Sequence, residues 1–142
     1  MSPELKARQR AAGYALYAAL GIGRRELDAR RAQFDRNYRF FDAPVGVVVT
    51  IDRRMGAGCF MDLGMALMAF QLAAESMGYA TTCIGALAHH GPLAHAHLAL
   101  PDDELVVCGL ALGVPDHDHP ANGFRTAREP LETYTRFCGF AD

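Results

Sequence analysis

Apolar positions in this chain fall into blocks whose period changes along its length. The opening Ser2-Pro3-Glu4 sets a cap residue, a proline at the first turn and an acid in order, which predicts a helix running to about Leu20. Gly21-Ile22-Gly23 stops it. Residues 24 to about 38 predict a second, strongly charged helix with Leu27, Ala32 and Phe34 as a sparse apolar face. Phe40-Phe41-Asp42-Ala43-Pro44 is a turn, and residues 45–51 are an apolar run rich in β-branched side chains. Bounded by Pro44 and by Asp52-Arg53-Arg54, that run predicts a buried strand.

Residues 55–58 form a glycine-rich turn, but they lack the G-x-G-x-x-G arrangement, so no dinucleotide fingerprint is present. Residues 61 to 77 are apolar almost all round, interrupted by Asp62, Gln71, Glu75 and Ser76, and Gly78 is a fitting stop. Such a helix belongs in the centre of a core or at a large subunit interface. Residues 80–87 (ATTCIGAL) predict a strand that loosens at Gly85, and Gly91-Pro92 starts a short helix to about Leu98. Residues 104–113 (ELVVCGLALG) are the strongest strand. Val106, Cys108, Leu110 and Leu112 fall on one predicted face; Val107, Gly109, Ala111 and Gly113 give the other small side chains, which admit a close-packed helix or a flat ligand. Residues 115–124 are a polar loop, and the stretch from Arg125 to Phe140 is expected to carry a short final helix around residues 129–137. Three strands among helices are too little sheet for a complete doubly wound fold.

The length of 142 residues suits one domain, and 51% hydrophobic against 21% charged residues is the balance of a chain that buries a core. Nine of the 14 Lys and Arg fall in residues 1–39 against four acids, whereas the remainder is acidic. A basic end can be a nucleic-acid arm, but these arginines alternate with apolar positions at helical spacing, so a solvated helix face and no nucleic-acid partner are expected. The first residues lack the apolar stretch of a signal peptide, and the longest apolar stretch, residues 63–74, is too short to span a bilayer. A soluble, cytoplasmic protein without a membrane partner is expected.

Candidate chemistry is sparse. Cys59, Cys83, Cys108 and Cys138 are far apart in sequence, without a C-x-x-C pair, and sit among apolar neighbours as packing residues would. His95 and His97, two apart on a helix, point to different sides. Asp116-His117-Asp118-His119 could fold around a divalent ion or be a polar surface turn; without a second cluster, no metal site is expected. Ser2 and Ser76 lack a nucleophile-elbow context, and no catalytic carboxylate pair is discernible. Arg125 and Arg128, three apart in the C-terminal stretch, could converge on a phosphate or be surface charge.

The segments NYRFFDAPVGVVVTIDRRMGAGCFMDLGMALMAFQLAAESMGYATTCIGAL, LPDDELVVCGLALGVPD and NGFRTAREPLETYTRFCGF, in this order and spacing, resemble the flavin-dependent nitroreductase family. ARQRAAGYALYAALGIGRRE is similar to the segment that precedes them in one subgroup. The resemblance implies an α+β fold, with helices packed on a mainly antiparallel sheet and a long central hydrophobic helix, in a single domain over residues 1–142. It implies an intertwined homodimer with FMN at the interface, reduced by NAD(P)H and reoxidised by a small-molecule electron acceptor such as a nitroaromatic or a quinone.

Carried over by position, Cys83, Ile84, Gly85 and Ala86 would face the isoalloxazine, with the Gly85 backbone N–H as a donor near N5. Arg125 and Arg128 would hold the FMN phosphate, and Met65, Met68 and Gln71 would lie in or near the subunit interface. No catalytic side chain is expected, because the redox chemistry belongs to the flavin. The subgroup's Cys-Pro-Gln turn is Cys83-Ile84-Gly85 here, without the Gln. The family's arginine-rich N-terminal segment, which grips phosphate and ribityl chain, has no counterpart, so the chain reads as N-terminally truncated. Two functions remain open: an FMN-dependent NAD(P)H oxidoreductase, with weak or absent FMN binding expected of this length of chain, or a non-catalytic remnant that serves as a dimerisation or partner-binding domain.

Overall fold

The computed structural model describes residues 1–139, which form two compact units, one of Met1–Leu27 with the chain from His117 onward, the other of Asp28–Asp116. The larger unit is built on a three-stranded antiparallel sheet: β1 (Val45–Asp52), β2 (Ala80–Ile84) and β3 (Glu104–Gly113), in the order β1-β3-β2. β3, the most apolar strand, takes the centre, where both edges are paired. β1 was expected to be buried; as an edge strand it buries only Val49.

The pairing of β1 with β3 slips between Val49 and Thr50, which face Cys108 and Val106, so Val107 is an extra residue. A bulge of this kind inverts the alternation beyond it. Val106 therefore joins Ala111, Ile84 and Leu87 in the core cluster, rather than sharing a face with Cys108 and Leu110 as a regular strand would require. Tyr38, Phe40, Phe41, Val48, Ala86, Ala94 and Leu100 close around that cluster.

α3 (Ala57–Ser76) runs from the turn after β1 to Gly78, whose φ of +83° ends the helix. The Gly78 and Tyr79 N–H groups donate to the carbonyls of Glu75 and Ala74, the paired bonds of a Schellman motif. Leu63, Leu67, Gln71 and Ala74 form its less exposed side, and the Thr81 hydroxyl and the Gln71 side-chain oxygen lie 3.4 Å apart, linking α3 to β2. Among the described residues only Ala74 of this helix is fully buried. At 20 residues it is also, by length and composition, long and apolar enough to cross a membrane. The shorter stretch of 63–74 therefore excludes nothing, because the apolar run continues on the far side of Asp62.

α2 (Leu27–Asp35) is shorter than expected. Its start is delayed by a turn in which the Glu26 carboxylate accepts the Gly23 N–H, and its end comes where the Asn37 side chain donates to Phe34 O at 2.7 Å, competing with the helix ladder. A 3-10 segment, Arg36–Asp42, leads into β1, with Phe40, Phe41 and Asp42 at φ +51°, +55° and +63°. A second 3-10 turn, Gly85–His90, follows β2 and leads into α4 (Gly91–His97).

In the smaller unit α1 (Pro3–Ala19) begins as expected, with the Ser2 hydroxyl accepting from Leu5 N–H at 3.3 Å. It ends at Gly21 (φ +69°) with Gly21 and Ile22 N–H groups on the carbonyls of Ala18 and Tyr17, a second Schellman motif. Arg24 lies over the Tyr14 ring, 4.4 Å from its centroid. α5 (Pro120–Gly123) is one turn, capped by His119 Nδ1 accepting from Ala121 N–H. The final helix expected around 129–137 is absent: one 3-10 turn, Leu131–Thr133, stands in its place. Pro130 precedes that turn, and Thr133-Tyr134-Thr135 is a run of weak helix formers. Phe140, where the expected C-terminal stretch ended, lies outside the described residues.

Candidate functional site

The four consecutive candidates Cys83, Ile84, Gly85 and Ala86 sit where β2 gives way to the 3-10 turn, and the pleat sends them different ways. Cys83 is exposed, whereas Ile84, at 1% exposure, is committed to the core, so Ile84 can offer a ligand only its backbone. Gly85 is exposed, and a Cβ placed on it would have no atom within 4 Å. Its backbone is open to a flat molecule in a way that a side chain would obstruct. Ala86 is half-buried against the core cluster and fixes the far side of the turn.

Arg125 and Arg128 lie in the other unit, in extended chain and not at a helix start, because the helix expected after them does not form. Both are exposed. The Arg128 guanidinium donates to the Thr126 carbonyl at 3.2 Å and the Ala127 carbonyl at 3.3 Å, and also to the Thr126 hydroxyl, a local fold-back that an anion can compete with. Arg125 makes no hydrogen bond or ion pair among the described residues. Beside them Glu129 pairs with Arg8 of α1 at 3.1 Å.

On α3 the most exposed apolar side chains form a stripe, with Phe60 and Phe70, 40% and 43% exposed, off its line. Met61, Met65, Met68 and Leu72 are 68%, 63%, 55% and 58% exposed and recur at intervals of four, three and four residues, which places them along one line of a helix. Gln71 lies on the flank of the inward side, engaged with Thr81.

The cysteines divide. Burial, with Cys83 nearby, pushes the Cys108 thiol above its ordinary range and keeps it protonated at neutral pH. Cys83 and Cys138 are exposed, not packed as their apolar sequence neighbours suggested. No group of three or more His, Cys, Asp or Glu able to hold a metal ion occurs among the described residues. His95 is engaged with the Pro101 carbonyl at 2.8 Å.

One cluster escaped the sequence reading. Arg54 forks onto the Asp52 carboxylate and reaches Asp103 at 3.5 Å, while Arg53 donates to the Asp102 carbonyl at 2.8 Å. The Arg54 side chain and backbone N–H hold the Asp52 carboxyl down at a pKa of about 2. The cluster ties the turn before α3 to the turn before β3. The run Asp52-Arg53-Arg54 was legible as a strand end; its partner Asp102-Asp103, 49 residues on from Arg53 to Asp102, was not.

Comparison with known proteins identifies the family and the fold. The model of the nitroreductase family matches residues 3–114. A nitrobenzene nitroreductase from Ectopseudomonas oleovorans is 39% identical over 119 residues, 84% of this chain and 52% of that protein. A 4-nitrobenzoate reductase from Nocardioides sp. (strain LMS-CY) is 35% identical over 133 residues, 93% of this chain and 54% of that protein. Among solved structures, the FMN and NADPH-dependent nitroreductase NfnB from Sphigopyxis sp. strain HMH superposes with a TM-score of 0.95 at 35% identity, covering 99% of this chain and 63% of that one. The chain spans about half the length of the curated relatives it matches.

Proposed function

The chain belongs to the nitroreductase family, and from that premise we propose that it is a subunit of an oxidoreductase that reduces nitroaromatic acceptors, with FMN as cofactor and NAD(P)H as reductant. Its α+β architecture is that of the nitroreductases it superposes on. The relatives named for nitrobenzene and 4-nitrobenzoate support the acceptor class, and the structure titled for FMN and NADPH supports the cofactors.

The observation that carries the reading to this chain's own residues is the open backbone at Gly85, with nothing within 4 Å of its missing Cβ. The residues fit FMN in that respect. In the larger unit Gly85 N–H would be the donor offered to the ring, flanked by the backbone of Cys83 and Ile84 and the Ala86 methyl; in the smaller unit the exposed guanidiniums of Arg125 and Arg128 are phosphate candidates by their charge alone. When bound, FMN supplies the passage of electrons from NAD(P)H to the acceptor. The chain itself has to bind, orient and shield the ring. The Met61, Met65, Met68 and Leu72 stripe supports a homodimer, since a row of exposed apolar side chains on one helix marks a protein–protein surface. NAD(P)H supply favours a cytoplasmic location.

Titration of the purified protein with FMN to millimolar concentration, followed by flavin fluorescence quenching and by NAD(P)H oxidation with nitrobenzoate, tests this reading. Saturable quenching and acceptor-dependent oxidation are expected. Replacing Arg125 or Arg128 by Ala should weaken FMN by about ten- to a hundredfold, the loss of one charge-assisted contact worth roughly 1.5–3 kcal/mol. A parent protein that shows no saturable quenching overturns the enzyme reading and leaves a dimerising or partner-binding domain.

A further inference from the structure

Two glycines on neighbouring strands, Gly46 of β1 and Gly109 of β3, leave a slot in the face of the sheet that carries the core cluster. One side chain fills it. A Cβ built on Gly46 would lie 2.9 Å from Phe40 Cγ and 3.0 Å from its Cδ atoms, and one on Gly109 would lie 3.1 Å from Phe40 Cε1. The same position on Gly109 is 3.2 Å from Leu87 Cδ2 and 3.4 Å from Ile84 Cβ. Phe40, Leu87 and Ile84 thus converge on a single absent side chain. Ile84 and Leu87 are the residues on either side of the Gly85-Ala86 pair, and both are buried, whereas Gly85 itself touches nothing on its side-chain face.

Phe40 reaches the slot at a conformational cost. It stands at φ +51°, followed by Phe41 and Asp42 also at positive φ, a backbone that L-residues hold only where packing or pairing secures it. Asp42 is secured by Arg36 at 3.3 Å and Arg39 at 3.5 Å. The preceding Tyr38 ring meets His90, the last residue of the turn that begins at Gly85, with centroids 5.1 Å apart. The segment 36–42 therefore grips the Gly85–His90 turn at both ends.

We propose that Phe40 is a positioning residue: seated over Gly46 and Gly109, it clamps Leu87 and Ile84 and so sets where the Gly85 N–H is presented. Its functional meaning rests on the assignment of Gly85 to the flavin; its mechanical content does not. Gly46 supplies the clean perturbation, because a Cβ there meets Phe40 and no part of the Gly85–His90 turn among its nearest atoms.

The test compares amide hydrogen exchange without cofactor, and FMN affinity, in the parent, Phe40→Ala, Phe40→Tyr and Gly46→Ala. Phe40→Ala and Gly46→Ala are expected to speed exchange at residues 88–90 by about tenfold while the β3 ladder at residues 108–111 keeps its protection, and to weaken FMN by about tenfold. Phe40→Tyr, which keeps the ring, should behave as the parent. If Phe40→Ala also releases the ladder, Gly46→Ala decides. Unchanged exchange at 88–90 in Gly46→Ala, or a loosened turn with undiminished FMN affinity, overturns the proposal. A parent that binds no FMN removes the flavin assignment, and the exchange comparison still decides whether Phe40 holds the turn.

Discussion

β3 and α3 are the two most apolar elements of the larger unit, and they meet opposite fates. Ten residues of β3 include five of the unit's ten fully buried positions, Gly109 among them, with Leu110 at 1% exposure; twenty residues of α3 include one, Ala74. The difference does not lie in hydrophobicity. It lies in what the chain places beside each element: β3 is flanked by β1 and β2 and roofed by the segments 36–42 and 85–97, whereas α3 rests on β2 along one side only. An apolar pattern states a need for cover without saying where the cover comes from. On β3 it comes from this chain; on α3 it would come from the second copy of the proposed homodimer.

The largest expected effect separates the two elements by stability. Leu110→Ala should cost about 2–5 kcal/mol, because the vacated volume is walled in on a central strand. Met65→Ala, measured by urea unfolding of the dissociated chain, should stay within about 0.5 kcal/mol, as for other exposed positions. Equal destabilisation by both would mean that α3 is covered from within, and the comparison would break.

The second effect is read in association. If the α3 stripe faces its own copy, Met65→Ala or Met68→Ala removes a buried side chain worth about 1.5–3 kcal/mol from each subunit, and the dimer dissociation constant should rise tenfold or more. Sedimentation equilibrium measures it. A parent that stays monomeric at micromolar concentration refutes the homodimer, and co-sedimentation of that monomer with lipid vesicles would assign the stripe to a membrane surface instead.

Gly78→Ala sharpens where α3 ends. At φ +83° with no atom within 4 Å of the new methyl, the cost is conformational alone, about 1–2 kcal/mol. Gly21→Ala at the end of α1 should cost the same, since the hydrogen bonds of the two motifs match. A markedly larger loss at Gly78, seen in thermal unfolding, would show that the direction of the chain into β2 matters beyond the helix end.

Local signals were legible and environment was not. The Ser2 cap, Gly21, Gly78, the break of β2 at Gly85 and the limits of β3 each follow from one or two residues whose backbone preference acts at short range. The bulge at Val107 depends on register with β1, so the expected division of β3 into a large and a small face failed below Cys108. The small residues themselves were recognised, but not the choice between helix and ligand: Gly109 is answered by Phe40, a side chain from a turn far along the sequence. The final helix expected around residues 129–137, after the arginine pair, does not form, because Pro130 and the Thr-Tyr-Thr run disfavour it. Of the candidate residues, Gly85, Arg125 and Arg128 are exposed and Ile84 is buried, a difference that strand parity does not give, since Thr82 on the same face as Ile84 is exposed.

The smallest effect belongs to the joint between the two elements, where Asp52, at the end of β1 and just before α3, is gripped by Arg54. The Asp52 carboxyl titrates at about 2 instead of 3.8, chiefly through the Arg54 side-chain hydrogen bonds and then its backbone N–H. A group with a lower pKa folded than unfolded binds fewer protons in the folded state, so its contribution is present above the unfolded value and is lost as pH falls through the folded one. The window therefore runs from about pH 4 down to about pH 2. Arg54 is exposed and Asp52 half-buried at the surface, and salt screens such pairs, so only a shallow slope is expected there. Asp52→Asn should flatten that slope and leave stability near pH 7 almost unchanged, as measured by denaturant unfolding at each pH in low salt. A variant that keeps the parent's slope between pH 4 and pH 2 would assign it to other carboxylates, with Glu4 of α1, also held below its ordinary range by backbone and Ser2 hydrogen bonds, the next to replace.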